Sequence, residues 1–339
     1  MRDGTPSTQI TYFYRRPNFG FYSIERVFDE VQNGLSPKFN VRKVVCPFIS
    51  RGVLRRILNS LSHLTVQGDI NHVTGDTHYL AVVLCSERTI LTIHDCTMMH
   101  RLGGLTRWIY FFFWLWWPIR RVKAVTVVSE AIANELNTYI PGCRSKITVI
   151  PNPLGSQFRY TPKPFNERAP RVLFIGTSKN KNLDRASRAL QGLNCTLVIV
   201  GLISPAQIKA LNQLNLRWKG YSELTADELL RQYLEADLLL FPSLYEGFGL
   251  PIIEAQAVGR PVITSELEPM VEVSGRAAHL VDPKSVQSIR SGIRRLINDE
   301  AYRHKIVELG LINVRRFSTG DVIKQYEQLY NLVASRANC

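Results

Sequence analysis

The chain has 339 residues, 45% hydrophobic and 21% charged, which excludes a disordered polymer and allows two domains with cores of their own. No apolar run reaches the roughly 18 residues that span a bilayer, and the opening Met1-Arg-Asp-Gly-Thr-Pro-Ser7 lacks the apolar stretch of a secretory signal. The formal net charge is +14, concentrated in residues 1–165, so the first half suits an anionic partner: a membrane surface, a phosphorylated acceptor or a nucleic acid.

Gln9–Tyr14 reads as a first strand, Arg15–Ser23 as a loop, Ile24–Val31 as a helix and Phe39–Val45 as a second strand. Between Phe48 and Leu64, the residues Ile49, Val53, Leu54, Ile57, Leu58 and Leu61 repeat at helical spacing, with Arg51, Arg55 and Arg56 beside them. Such a basic amphipathic helix fits a core or an anionic membrane surface equally. Ile70–Val73 and Thr89–His94 are short strands, so His94 stands at a strand's C-terminal end, where open α/β sheets place ligands. From Trp108 to Trp117 the chain is apolar or aromatic on every face. That pattern belongs to a buried helix, or to an interfacial segment or hydrophobic acceptor wall with Arg120, Arg121 and Lys123 near lipid phosphates. Four tryptophans beside a basic cluster favour the second reading. Ala124–Val128 is a buried strand, Ser129 caps the helix that follows, and Ile147–Pro153 closes the half.

Gln157–Arg168, polar and with Pro162 and Pro164, reads as a linker. Strands follow at Arg171–Gly176, Leu197–Val200, Leu238–Ser243, Val262–Thr264 and Ala278–Val281. Thr225 and Glu228 form a capping box. Val322, Ile323, Tyr326, Leu329, Tyr330 and Val333 mark a terminal amphipathic helix. The six cysteines are scattered, without a C-x-x-C pair, and read as reduced, mostly buried thiols of a cytoplasmic protein rather than zinc ligands.

The chemistry centres on Glu246-Gly-Phe-Gly-Leu-Pro-Ile-Ile-Glu254. A strand precedes it, Pro251 suits a helix's first turn, and Gly259 with Pro261 suits its stop. The turn presents the N–H groups of Gly249 and Leu250 at a helix N-terminus, a ready anion site. Glu254 is expected inside the first helical turn. Carboxylates beside a phosphate site take hydroxyls as partners, so Glu246 and Glu254 point to a nucleotide sugar.

The stretch resembles the E-x7-E signature of retaining glycosyltransferases of family 4, with the GT-B fold. The resemblance covers most of residues 90–335 and implies two Rossmann-like doubly wound α/β domains facing each other across a cleft. The expected domains are 1–165, which binds the acceptor, and 166–318, which binds the donor, with a helix at 319–339 crossing back to the first. Carried over residue by residue, Glu254 holds the ribose, and Glu246 holds the donor sugar and steadies positive charge at the anomeric carbon. His94 donates a hydrogen bond to the sugar or a phosphate oxygen from the opposite domain. Lys181 holds the diphosphate in the loop after Gly176, with Lys179 a second cation, because Thr177 stands where relatives carry an arginine. Gly20 matches, loosely, the glycine of the first strand's loop, and the Gly220–Tyr221 loop lies by the base.

The implied reaction transfers a sugar from a UDP-, GDP- or other NDP-sugar to a hydroxyl of a glycan or polyprenyl-diphosphate-linked acceptor, in O-antigen or capsule-type polysaccharide assembly. It needs no cofactor and no metal. The protein is expected in the cytoplasm, peripheral on the inner face of the membrane. A nucleic-acid partner has no recognition motif behind it. A non-catalytic nucleotide-sugar scaffold and a nucleotide-sugar epimerase remain alternatives.

Overall fold

The computed structural model describes residues 7–16 and 23–337. The chain forms two compact units, Met1–Pro153 with Thr319–Cys339, and Leu154–Ser318. In the first unit β1 (Thr8–Tyr14), β2 (Phe39–Val45), β3 (Ile70–Val73), β4 (Thr89–Ile93), β5 (Ala124–Val127) and β6 (Ile147–Val149) make one parallel sheet, in the order β2-β1-β3-β4-β5-β6. Strands β3, β4 and β5 are buried at every position, as parallel strands are when both faces are covered.

The second unit holds β7 (Arg171–Ile175), β8 (Thr196–Val200), β9 (Arg217–Tyr221), β10 (Leu238–Phe241), β11 (Val262–Ser265) and β12 (His279–Val281). Their order β12-β11-β10-β7-β8-β9, all parallel, is the doubly wound one, with the strand order reversing between β7 and β10. The pattern of Arg-Trp-Lys-Gly-Tyr gives no sign of β9. It is an edge strand held through its backbone to β8, which needs no apolar alternation. Gly220 and Tyr221 therefore end a strand and do not form a loop.

Residues 154–165 lie against the second unit. Phe158 meets Tyr233 edge-on at 5.4 Å, Lys163 pairs with Asp237, and an Arg260 guanidinium N–H donates to the Thr161 carbonyl at 3.0 Å. The linker is correspondingly shorter than its proline-bearing composition suggests. Ser129 caps the helix Glu130–Tyr139, and the Thr225–Glu228 capping box forms at the helix Ala226–Glu235.

The terminal helix Thr319–Ala337 joins the first unit through a buried polar chain. Tyr12 Oη lies 2.8 Å from Tyr330 Oη, which lies 2.9 Å from His72 Nδ1. His72 Nε2 lies 2.7 Å from Thr92 Oγ1, itself 2.6 Å from Thr126 Oγ1. Each of these buried groups thus has a partner, the condition for keeping it out of water.

The two apolar segments of the first half differ in their surroundings. The helix Val53–Ser62 buries Asn59 and exposes Val53, Leu54, Ile57, Leu58 and Leu61. The aromatic segment runs as a helix Gly104–Tyr110, a π-helix Phe111–Trp116 and a helix Trp117–Arg121. Trp114, Leu115 and Ile119 belong to the core, while Leu105, Trp108, Ile109, Phe113 and Trp117 are exposed. The segment is half core and half surface. Trp114, grouped by sequence with the interfacial tryptophans, is a core residue whose Nε1 donates to the Asp76 carbonyl at 2.9 Å.

Burial lowers the pKa of His63, His72, His78 and His94, His72 to about 3. A histidine held neutral in the fold but free to protonate when unfolded contributes stability that is complete above the unfolded pKa and is lost as pH falls below it. His72 alone then costs about 2 kcal/mol between pH 7 and pH 5, a window in which most carboxylates do not yet titrate. Unfolding at pH 7 and pH 5 should therefore show a clear loss of stability on acidification. A flat profile would contradict the buried, neutral imidazoles.

Candidate active site

Parallel strands β7 and β10 are neighbours whose crossovers run to opposite sides, so the loops leaving their C-terminal ends open a crevice. The loop after β7 carries Gly176 to Asn182, and the loop after β10 carries Pro242 to Gly249. Gly176 has φ +88°, and a Cβ there would stand 2.9 Å from Lys181 Cε, so the missing side chain is what makes room for the lysine stem. Asn182, buried and left-handed at φ 67°, donates its amide to the carbonyls of Pro242 (3.0 Å) and Pro283 (2.6 Å). Asn180 donates its amide to the Tyr245 carbonyl at 3.0 Å and accepts the Leu244 N–H at 2.7 Å.

Clamped in this way, the two loops bring Lys181 Nζ within 2.6 Å of Glu246 Oε1, with side-chain exposures of only 18% and 13%. The Lys181 ammonium also lies 4.7 Å from the centre of the Phe241 ring, a cation–π contact. The sequence reading placed Lys181 and Glu246 on different parts of one ligand; the fold pairs them with each other. Lys179, two residues earlier in the same turn, is exposed. Thr177 donates its hydroxyl to the Leu202 carbonyl at 2.5 Å.

The helix Leu250–Ala257 starts immediately after this pair. Gly249 caps it at φ +108°, a left-handed value that favours glycine, and no side chain fills the cap. Pro251 has no N–H and the Ile252 N–H donates to the Gly249 carbonyl at 2.9 Å, so of the first turn the Leu250 N–H is the one that no side chain caps. Because the helix begins only at Leu250, Glu254 is its fifth residue and lies just past the first turn, a correction to the expected place. Its side chain is buried, and Tyr233 Oη donates to Glu254 Oε2 at 2.5 Å. Tyr233 carries no sequence signal, since in the helix Ala226–Glu235 it reads as an ordinary core aromatic. Asn182 had one in principle: asparagine is the residue after glycine that most readily turns left-handed before a helix.

In the first unit, His94 follows β4. Its Nε2 lies 2.8 Å from the Thr74 carbonyl, which can only accept, so Nε2 carries the proton. Burial lowers the imidazole's pKa, with the Thr74 carbonyl opposing, and the ring is neutral. Nδ1 is then an acceptor. The expected role of His94 as a donor to phosphate is corrected on this ground; its remaining atom suits a hydroxyl. Nearby at the ends of β1 and β3, Arg15 Nε donates to Glu25 Oε1 at 2.9 Å, and Arg15 Nη1 stands 3.6 Å from Asp76 Oδ2. Gly20 lies outside the described residues.

Residues 11–156 match the family described as Glycosyltransferase Family 4, and residues 159–310 match Glycosyl transferases group 1. The O-antigen chain mannosyltransferase B of Escherichia coli is 34% identical over 118 residues, 35% of this chain and 30% of that protein. The O-antigen chain mannosyltransferase RfbU of Salmonella typhimurium is 28% identical over 228 residues, 65% of this chain and 63% of that protein. The matched part spans less than two thirds of each of these relatives. Among solved structures, Anabaena Alr3699/HepE in complex with UDP and glucose aligns with a TM-score of 0.77 at 15% identity, covering 96% of this chain and 99% of that one. WaaG, a glycosyltransferase involved in lipopolysaccharide biosynthesis, aligns at 0.70 and 14% identity, covering 96% and 99%. The two halves are thus matched in succession by glycosyltransferase models, a family 4 model and then a group 1 model, and the fold of the chain is the GT-B fold.

Proposed function

We propose that the chain is a retaining glycosyltransferase that moves a sugar from a UDP-, GDP- or other NDP-sugar to a hydroxyl of a glycan or polyprenyl-diphosphate-linked acceptor, in the assembly of a cell-surface polysaccharide. The observation that carries this reading is the Lys181–Glu246 pair beside the uncapped start of the helix Leu250–Ala257, at the strand-order reversal of the second sheet. A cation beside a helix N-terminus without a side-chain cap suits a diphosphate, and an adjoining carboxylate suits a sugar. The E. coli and Salmonella relatives are named for mannose transfer to O-antigen, and HepE was solved with UDP and glucose, which agrees with this class of donor and product.

In transfer, the anomeric carbon exchanges its phosphate oxygen for the acceptor's oxygen, and the acceptor's hydroxyl proton passes to the departing diphosphate. Negative charge grows on the departing diphosphate and positive charge on the sugar ring. Lys181, with the N–H groups of Gly249 and Leu250, takes the first; Glu246 steadies the second. Without donor, Glu246 holds the Lys181 charge in place. An incoming diphosphate takes over the ammonium and releases Glu246 to the sugar hydroxyls. Glu254 binds the ribose, its carboxylate oriented by Tyr233. His94, through Nδ1, accepts from a sugar hydroxyl. The scheme assigns the diphosphate's counter-charge to protein groups, with exposed Lys179 as an auxiliary cation, and it uses no metal ion. The scattered cysteines, without a C-x-x-C pair, suit a reducing compartment, so we assign the reaction to the cytoplasmic side of a membrane.

A panel of UDP-, GDP- and ADP-sugars, read first by thermal stabilisation and then by product analysis, identifies the donor. An α-linked donor should give an α-linked product in the anomeric proton spectrum; an inverted product would end the retaining assignment. Stabilisation without turnover would indicate a scaffold, and release of an altered nucleotide sugar an epimerase. With the donor known, Lys181→Ala should lower transfer by about 10²–10³-fold while the fold persists. Wild-type turnover in that variant would remove its diphosphate role. Tyr233→Phe should raise the donor KM about tenfold with a smaller effect on kcat, as expected for losing one hydrogen bond to a charged group. Gly176→Ala forces a left-handed alanine and pushes on the Lys181 stem; donor stabilisation should fall together with about 1–2 kcal/mol of stability. Unchanged donor binding in Gly176→Ala would show that the lysine stem does not need that space.

A further inference from the structure

We infer that the helix Val53–Ser62 and the aromatic segment 104–121 form one continuous face that docks on an anionic lipid bilayer. The helix is amphipathic in the reverse of the usual sense. Its polar residue Asn59 is turned inward, where its amide donates to the Phe48 carbonyl (2.9 Å) and Tyr79 Oη (3.0 Å) and its Oδ1 accepts the Phe48 N–H (3.0 Å). Its apolar stripe faces out, with Val53 72%, Leu54 70% and Leu61 56% exposed. Apolar residues scattered singly on a surface need no explanation, but a whole helical stripe does.

The aromatic segment continues that face. Trp114 anchors it in the core, and Trp108 is 59% exposed on its outer side. The two elements touch: the Arg56 guanidinium stacks over the Trp114 ring at 4.3 Å, and Tyr79, which holds Asn59, meets Trp114 at 5.3 Å. The charge along the two segments themselves is of one sign, although Lys123 at their edge pairs with Glu87 at 2.6 Å. No carboxylate occurs between Glu30 and Asp69 or between Asp95 and Glu130, whereas those stretches carry Arg51, Arg55, Arg107, Arg120, Arg121 and Lys123 among others.

That asymmetry selects the occupant. A second copy docking by a two-fold axis would set arginine clusters against each other. An anionic membrane instead supplies hydrocarbon for the leucines and phosphates for the arginines, and each basic side chain near such a surface adds attraction. Tryptophan favours the headgroup zone. Among the described residues no helix is long and apolar enough to cross a membrane, so the contact lies in the interface. The inference extends the lipid-linked acceptor reading, but its measurement needs neither donor nor turnover.

The full chain is sedimented with vesicles of phosphatidylethanolamine and phosphatidylglycerol, and separately of phosphatidylcholine alone, at low and high salt, with tryptophan emission followed. Binding should appear with the phosphatidylglycerol vesicles, weaken with salt, and shift the emission to the blue. Leu54→Glu and Ile57→Glu, both at exposed positions, should each weaken binding roughly tenfold or more. Trp108→Ala should weaken it less, and all three variants should keep the wild-type unfolding temperature. Absence of binding at low salt would overturn the inference, as would equal binding by the variants. So would a wild-type dimer that Leu54→Glu converts to monomer, which would assign the face to a second copy. Vesicle binding together with failed sugar transfer would uphold this face and reject the transferase reading.

Discussion

The side-by-side pairing of β7 with β10 is the constraint from which the second unit's chemistry follows. The chain leaves both strands at the same edge of the sheet, but the next strands lie on opposite sides, so the two loops meet at one crevice with no helix between them. Lys181 and Glu246 are 65 residues apart in sequence and meet only because of this topology. Asn180 and Asn182 then hold the loops backbone to side chain. A partly desolvated ion pair of this kind contributes little net stability, since desolvation offsets most of the attraction. Its value is positional. It keeps a lysine ordered at the helix start.

The first unit solves a different problem. Its sheet carries polar side chains in a fully buried interior, and a hydrogen-bonded chain from Tyr12 through Tyr330, His72 and Thr92 to Thr126 links five buried groups across four neighbouring strands. One link in that chain, Tyr330, comes from the last helix, 318 residues away from Tyr12. The first unit is therefore completed by residues that follow the whole second unit in sequence. Deleting the terminal helix would leave Tyr12 and His72 without their shared partner, at the cost of buried unpaired polar groups.

On the outer side of the same unit, the usual logic of amphipathic helices is inverted. Helical spacing specifies a stripe but not its direction. Direction here is decided by Asn59, whose amide finds three partner atoms inside the fold and would forfeit them if the helix turned over. The apolar residues are thereby committed to the surface, where only another apolar phase can cover them.

Much of this architecture was legible in the sequence, because buried parallel strands are short apolar runs bounded by turn residues and need no partner to be recognised. Phe39–Val45 and Ile70–Val73 coincide with β2 and β3, and Ser129 and Thr225 cap helices as their residue types require. The edge strand β9 was not legible, since its stability comes from backbone pairing to β8 and not from its side chains. At the site, Gly176, Lys181, Glu246, Gly249 and Glu254 were legible as residue types in a recognisable order. Their pairing was not: the Lys181–Glu246 contact, the Tyr233 hydroxyl on Glu254 and the proton on His94 Nε2 each depend on an atom contributed by a segment distant in sequence. Local sequence determined which segments are buried strands, where helices start and where left-handed glycines stand, because those are set by apolar patterning and sterics within a few residues. Only the tertiary structure decided which charges neutralise each other and which face of an apolar helix meets solvent, because both follow from what packs beside a residue and not from what precedes it.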